Sequence, residues 1–410
     1  MRTFIPFPDA LETVLSHGQK TEQEIVALSD AIGRTLSGPI EAADDIPPFA
    51  SSAMDGYAIR TADFQADPQR ELIIAGHIAA GAVHLPEVKS GTCVEIMTGA
   101  PFPPGADAVA QKEWVRERTE STVSFSRVPD PGKHVRPAAE DVARGEQVFK
   151  GGERITPAIL GMLASLGVDP VPVRYAPRVR IISSGDEIVE ACEEPGEGQI
   201  RNSNGPSLRA QVLEAGGFCA RHEHVPDTPD EIRQVIASDP DADILVFSGG
   251  VSVGDHDHIR QVLESMGGKT LFWKVKQRPG KPLAFGTLGT SVFIGLPGNP
   301  VSSAMCFEIY VRPLIEKMLG RSSARTSMLT AQLSRDIRKV QELHFFTRGI
   351  ARVGGGGQIK VEDTGPQRSN LYGSVVRANC IIHLPAGLDR IEAGSEVMIQ
   401  LLPWASLLPA

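Results

Sequence analysis

The residues best suited to chemistry in this chain are carboxylates that follow apolar runs. Residues 244–247 are Ile-Leu-Val-Phe, a continuous apolar run that predicts a buried strand. Ser248-Gly-Gly-Val-Ser-Val-Gly-Asp-His-Asp257 comes next, with glycines at 249, 250 and 254. Those glycines permit tight turns and let backbone approach a ligand closely. Residues 259–266 then carry helical spacing, closed by Gly267 as a C-cap. Strand, glycine loop and helix N-terminus together form an anion-binding geometry. Asp255 and Asp257 would repel a bare anion there, so a bridging cation is implied. Capping of the helix by Asp257 is the competing reading.

Other charged groups fall at equivalent places. Glu187 ends Ser184-Gly-Asp-Glu after a strand predicted over 179–183, and Asp227 follows one predicted over 219–224. Arg278-Pro-Gly-Lys281-Pro282 follows a strand predicted over 271–277, and Pro297-Gly-Asn299-Pro-Val-Ser302 one over 291–296. In an open α/β sheet, ligands bind at the carboxyl ends of the strands, where all these segments would meet. Glu187, Asp227 and Asp257 suit oxygen ligation of a hard cation such as Mg²⁺. Lys274, Lys276 and Arg278 are spaced by two, which places them on one face of a strand. A lysine-protected sheet edge explains Lys274 and Lys276 equally well. Arg278 and Lys281, beside a Pro-Gly turn in an acidic protein, point to a phosphate or oxyanion. No histidine and cysteine spacing suggests zinc, and the glycine pattern is neither a dinucleotide fingerprint nor a P-loop. The residues thus describe a metal-assisted phosphate-ester or oxyanion site without naming its substrate.

The elements that would position these groups fall into blocks. Residues 7–18 predict an amphipathic helix. Thr21-Glu22-Gln23-Glu24 reads as a capping box, and 25–28 starts either a short helix or a strand. Short strands separated by Gly and Pro turns fill roughly 49–140. Thr156-Pro157 opens a helix that Gly167 ends. Strands and helices alternate from 176, with one long helix over 299–319, and arguing a mostly parallel sheet covered on both faces. After about 330 the pattern returns to strands. The expected fold is α/β plus β in a four-domain subunit. It comprises a discontinuous N-terminal helical or mixed domain (1–48 and 141–175) and an inserted β-rich lobe (49–140). A doubly wound, mostly parallel α/β domain (176–325) and a C-terminal β-barrel-like domain (326–410) complete it.

Composition narrows the class. The 410 residues are 41% apolar and 22% charged with a net charge of −9, which argues against a nucleic-acid or anionic-membrane surface. Five scattered cysteines without a CxxC fit reduced thiols in a cytoplasmic protein. No apolar run reaches the ~18 residues that span a bilayer, and the N-terminus lacks the apolar region of a signal peptide.

The motifs together resemble the MoeA family of molybdopterin molybdenumtransferases, whose eukaryotic relatives include the gephyrin E domain. Ser52-Ala-Met-Asp-Gly-Tyr-Ala58, Ile96-Met-Thr-Gly-Ala-Pro101, Glu140-Asp141 and Ser184-Gly-Asp-Glu187 carry the resemblance. Gly198-Gln-Ile-Arg-Asn-Ser-Asn204, Ser248-Gly-Gly-Val-Ser-Val-Gly-Asp255, Pro279-Gly-Lys-Pro282 and Leu296-Pro-Gly-Asn-Pro-Val-Ser302 continue it in the family's order. The resemblance implies conversion of adenylyl-molybdopterin and molybdate to molybdenum cofactor with release of AMP, in a Mg²⁺-dependent step. It implies a homodimer with the active site at a subunit interface. Transient contact is implied with the molybdopterin adenylyltransferase and with molybdoenzyme acceptors or chaperones.

By motif position, Asp55, Thr98, Glu187, Asp227 and Asp257 match catalytic positions, the last three being the Mg²⁺ carboxylates. Lys281, Pro282, Ser302, Arg348 and Ser369 match molybdate contacts. Ser203, Gly249, Gly250, Ser252, Arg278 and Asn299 complete the expected substrate contacts. Arg278 stands where the family usually has lysine, which keeps the charge but alters reach and shape. Ala139 stands where glycine is usual. Two other readings share the motifs, an adenylyltransferase on the same third-domain fold and a non-catalytic scaffold. The lobe motifs around Asp55 and Thr98 argue against the first. The intact acidic and basic loops argue against the second.

Overall fold

A computed structural model describes residues 1–219, 222–250, 258–321 and 328–409. The chain divides into two compact units: residues 1–37, 151–156 and 171–410, and residues 38–150 with 157–170.

The larger unit is built on a seven-stranded sheet. Its order is Arg2–Ile5, Lys269–Val275, Ala284–Leu288, Ser291–Leu296, Ile244–Ser248, Val179–Ser184, His222–Val225. The last four strands are mutually parallel. Ala284–Leu288 alone runs against both neighbours, so Lys269–Val275 and its parallel partner Arg2–Ile5 point the same way as the rest. Ile244–Ser248 is buried throughout because both sheet faces are covered. Ile244 and Val246 enter one core with helices Phe7–Ser16 and Asn204–Ala215 and the helical run from Pro300. Leu245 and Phe247 enter the other, under Pro229–Ala237 and His258–Ser265. The alternation is the two-residue period of a strand, read on two apolar faces.

The C-terminal part of this unit closes into a five-stranded barrel. Going round it are His344–Val353, Ile359–Asp363, Met328–Leu333, Glu396–Leu401 and Cys380–Leu384, which pairs back onto His344–Val353. The smaller unit holds a six-stranded sheet in the order Ala108–Gln111, Gly56–Ile59, Thr92–Ile96, Leu72–Ile78, Thr122–Phe125, Val115–Arg118. The expected fold class is therefore present: a parallel-rich α/β sheet, a β-rich lobe and a C-terminal barrel.

Four local expectations change. Gln23–Val26 is a strand paired with Val171–Arg174, so Thr21 to Glu24 is no capping box. The helical run over Pro300–Met318 contains a π turn at Phe307–Val311. Beside it Arg312 and Glu308 form a buried ion pair at 2.5 Å, and Gln211 donates to the same carboxylate at 2.6 Å. Such a pair orients more than it stabilises. Strands Arg2–Ile5 and Ala284–Leu288 join the sheet without having been expected. Finally, Lys274, Lys276 and Arg278 do not share a strand face. Lys274 has φ +66°, and Gln277–Arg278 leaves the sheet to pair with His344 and Phe345 of the barrel.

Among the described residues no helix is long and apolar enough to cross a membrane. All five cysteines are free thiols, four of them buried.

Candidate functional site

The carboxyl ends of the parallel strands surround a cleft of about 460 Å³. Three loops are drawn together there by asparagines. Asn204, at the start of its helix, donates from Nδ2 to Ser248 Oγ and to the Gly298 carbonyl, both at 2.8 Å. Asn202 donates to Ser183 Oγ at 3.1 Å and accepts from the Gly205 amide at 2.9 Å. The glycine loop is pressed against the neighbouring strand. A Cβ on Gly249, whose φ is +95°, would sit 2.7 Å from the Ser184 carbonyl oxygen, so only glycine fits. Ser203, Gly249, Gly250, Pro282 and Asn299 all line the cleft.

Glu187 and Asp227 line the same cleft. The Asp227 amide donates to Asp186 Oδ1 at 3.3 Å. Its own Oδ1 is buried and has no hydrogen-bond partner. An unpaired carboxylate oxygen in a residue of the cleft wall, with a second acid on the same cleft, fits a hard cation, because buried acceptors need a donor or a metal. Among the described residues no three His, Cys, Asp or Glu side chains form a metal cluster. Asp257, the third expected ligand, lies outside the described residues, as do Ser252 and Asp255.

The turn from Arg278 to Pro282 is held from below. Gln277 is fully buried and donates to the Gly280 carbonyl at 3.1 Å, while Tyr310 in the π turn donates its hydroxyl to Gln277 Oε1. Gly280 has φ +84°, and a Cβ there would lie 2.1 Å from Cys306 Sγ. Val275 N donates to the Lys281 carbonyl at 3.0 Å and closes the base of the turn. Lys281 is exposed, its ammonium 5.0 Å from the centre of the Phe4 ring. Ser302 is buried in the first turn of the helix that starts at Pro300.

Arg278 and Arg348 line a separate cavity of about 290 Å³ with Arg338 and Gln367. Arg348 is wholly buried and donates to Ser374 Oγ at 2.8 Å and to the Arg368 carbonyl at 3.3 Å. Burial, then the Arg278 charge, lowers its pKa to about 10. It thereby holds the loop carrying Ser369, whose carbonyl accepts from the Val301 amide at 3.3 Å. In the smaller unit, Thr98 donates to Asp55 Oδ1 from both its amide and its hydroxyl, each at 2.7 Å. The amide bond, then the hydroxyl bond, holds the Asp55 carboxyl below its usual range.

Three family models cover most of the chain: the MoeA N-terminal region (domain I and II) over residues 5–167, a probable molybdopterin binding domain over 180–317, and the MoeA C-terminal region (domain IV) over 330–402. A molybdopterin molybdenumtransferase of Haemophilus influenzae is 36% identical across 93% of this chain and 94% of its own. The chain belongs to the MoeA family. The Bacillus subtilis protein of the same name is 33% identical across 99% of this chain and 98% of its own. The crystal structure of a molybdopterin biosynthesis moeA protein from Pyrococcus horikoshii superposes with a TM-score of 0.83 at 28% identity, covering 97% of this chain and 100% of that one.

Sequence reasoning about this MoeA-family chain missed Gln277 and Tyr310, which set the basic turn, and the tying roles of Asn202 and Asn204. The Asn-Ser-Asn triplet just before a helix was a signal for the asparagines, since such residues favour helix starts. Nothing local marked Gln277, whose partners lie three and 33 residues away along the chain.

Proposed function

We propose that this chain is the molybdenum insertase of molybdenum cofactor biosynthesis, converting adenylyl-molybdopterin and molybdate to molybdenum cofactor and AMP. The observation that carries this reading is the rim cleft. A glycine loop and two carboxylates, one with an unpaired buried oxygen, line one cleft in a chain whose full-length relatives are named molybdopterin molybdenumtransferase.

In this reading the Ser248–Gly250 backbone and Ser203 receive the phosphate end of the substrate, as backbone donors at a strand end do for anions. Pro282, Asn299, Lys281 and Ser302 shape the side where molybdate is delivered. Lys281 attracts the oxyanion, and Arg278 does the same with two parallel N–H donors in place of a lysine's point charge. Arg348 acts by fixing the loop of Ser369. Glu187 and Asp227, with Asp257, would hold Mg²⁺, which when bound offsets repulsion between phosphate oxygens and stabilises the leaving AMP. Holding oxyanion and anhydride at fixed separation supplies much of the rate. Asp55, kept ionised by Thr98, contributes from the β-rich lobe across a homodimer.

A cytoplasmic location, transient contact with the adenylyltransferase and with molybdoenzyme acceptors or chaperones, and the four-domain division belong to the same reading. The division is supported by the family models, which change between residues 167 and 180 and between 317 and 330. The decisive experiment mixes purified protein, adenylyl-molybdopterin and molybdate and follows AMP. Release that requires molybdate and stops on chelation with EDTA, restored by Mg²⁺, supports the reading. No release with both substrates present refutes it. Sedimentation at micromolar protein tests the dimer.

A further inference from the structure

The polar side chains of the rim are largely satisfied by one another. Ser183 Oγ donates to the Glu223 carbonyl at 3.2 Å and accepts from Asn202. Ser248 Oγ accepts from Asn204. Ser184 differs. It ends the Val179–Ser184 strand, lines the cleft and is 4% exposed, yet its hydroxyl has no hydrogen-bond partner. The glycine turn packs directly on that hydroxyl: a Cβ on Gly250, at φ +64°, would lie 2.8 Å from Ser184 Oγ and 2.5 Å from Ile259 Cδ1. A buried hydroxyl without a partner is costly in the free protein, and alanine would remove the cost. Its presence at a cleft wall calls for a partner brought in by a ligand.

We propose that Ser184 is a substrate-binding residue whose hydroxyl donates to a phosphoryl oxygen of the adenylylated substrate. The inference rests on the insertase reading for its substrate. The neighbours decide the ligand chemistry. Glu187 and Asp227 on the same wall are acceptor-only when ionised, and the amides of Asn202 and Asn204 are consumed inside the rim. Ser184 therefore supplies a neutral donor in the cleft wall next to the glycine turn.

The test is Ser184→Ala, which deletes only the oxygen. Calorimetry is run with AMP and with molybdate as separate probes, alongside thermal unfolding of the ligand-free protein. AMP affinity is expected to fall about 10-fold, the cost of one lost hydrogen bond to a charged group. Molybdate affinity is expected to stay unchanged. The thermal midpoint should rise by about 1–3 °C, because an unsatisfied group has gone. Ser183→Ala calibrates the sign: it breaks two hydrogen bonds, one of them buried, and should lower the midpoint.

A purely structural serine predicts the Ser183 behaviour at both positions. Unchanged AMP affinity, a falling midpoint, or a loss confined to molybdate overturns the assignment. If the wild-type protein binds AMP but releases none from adenylyl-molybdopterin, the insertase reading falls and the Ser184 contact stands. If it binds no AMP, both fall.

Discussion

Asn204 is the most informative position for perturbation, because one side chain joins two loops of the cleft. Its Nδ2 makes two bonds of 2.8 Å, to Ser248 Oγ and the Gly298 carbonyl, and the residue is 9% exposed. Asn204→Ala removes both donors and leaves the buried Ser248 hydroxyl without its partner, while the exposed Gly298 carbonyl can turn to water. Each buried hydrogen bond contributes about 1 kcal/mol net, and a stranded acceptor adds a further ~1 kcal/mol, so the loss is about 2–3 kcal/mol. At roughly 2 °C per kcal/mol for a large chain, the thermal midpoint should drop by about 4–6 °C. The Ser248–Gly250 and Pro297–Asn299 loops would no longer be clamped, so KM for adenylyl-molybdopterin should rise about 10- to 100-fold. Asn204→Asp retains the shape and loses the donors, so it should fail equally, which separates hydrogen bonding from packing. Chemical denaturation and steady-state AMP release measure the two effects. An Asn204→Asp variant with wild-type KM and midpoint would refute the claim that this amide assembles the rim.

Two further outcomes follow from buried groups elsewhere. Gly280→Ala places a methyl 2.1 Å from Cys306 Sγ at φ +84°, so it should destabilise by about 2 kcal/mol or more and displace Lys281, weakening molybdate affinity in calorimetry; pairing it with Cys306→Ala, which vacates the space, should recover part of the loss. Burial, reinforced by His383 and Lys339, lowers the His344 pKa to about 3, and burial lowers that of His383 to about 4. The unfolded chain therefore binds protons at these sites from about pH 6.5 downward while the folded protein does not. Stability from this pair is complete above pH 6.5 and is lost progressively as pH falls through 4. His344→Phe, which keeps a ring against Phe7 and Phe346, should flatten urea-measured stability between pH 6.5 and 4, and an unaltered slope there would count against this account.

What could be read in the chain by itself was whatever short-range chemistry encodes. The apolar run at 244–247 marked a strand covered on both faces, and the acids and glycines after such runs marked the rim, because a strand's carboxyl end and the loop beyond it are adjacent in sequence and in space. Glu187, Asp227, Gly249, Gly250, Pro282 and Asn299 meet in one cleft for that reason. The motif order also carried the family. Groups whose role depends on partners far along the chain were not legible. Arg2–Ile5 is too short to show a period and becomes a strand only by pairing with Lys269–Val275. The regular spacing of Lys274, Lys276 and Arg278 suggested one face, but the chain leaves the sheet after Val275, and its next strand belongs to the barrel. Arg348 was legible as a candidate ligand contact, but that it is buried and also holds the Ser369 loop appears only in the packed structure. Gln277 met Tyr310 and Gly280 only when the π turn and the basic turn were packed together. Periodicity and turn chemistry act over a few residues and so are written locally, whereas burial and hydrogen-bond satisfaction are settled only when distant segments exclude water from the same place.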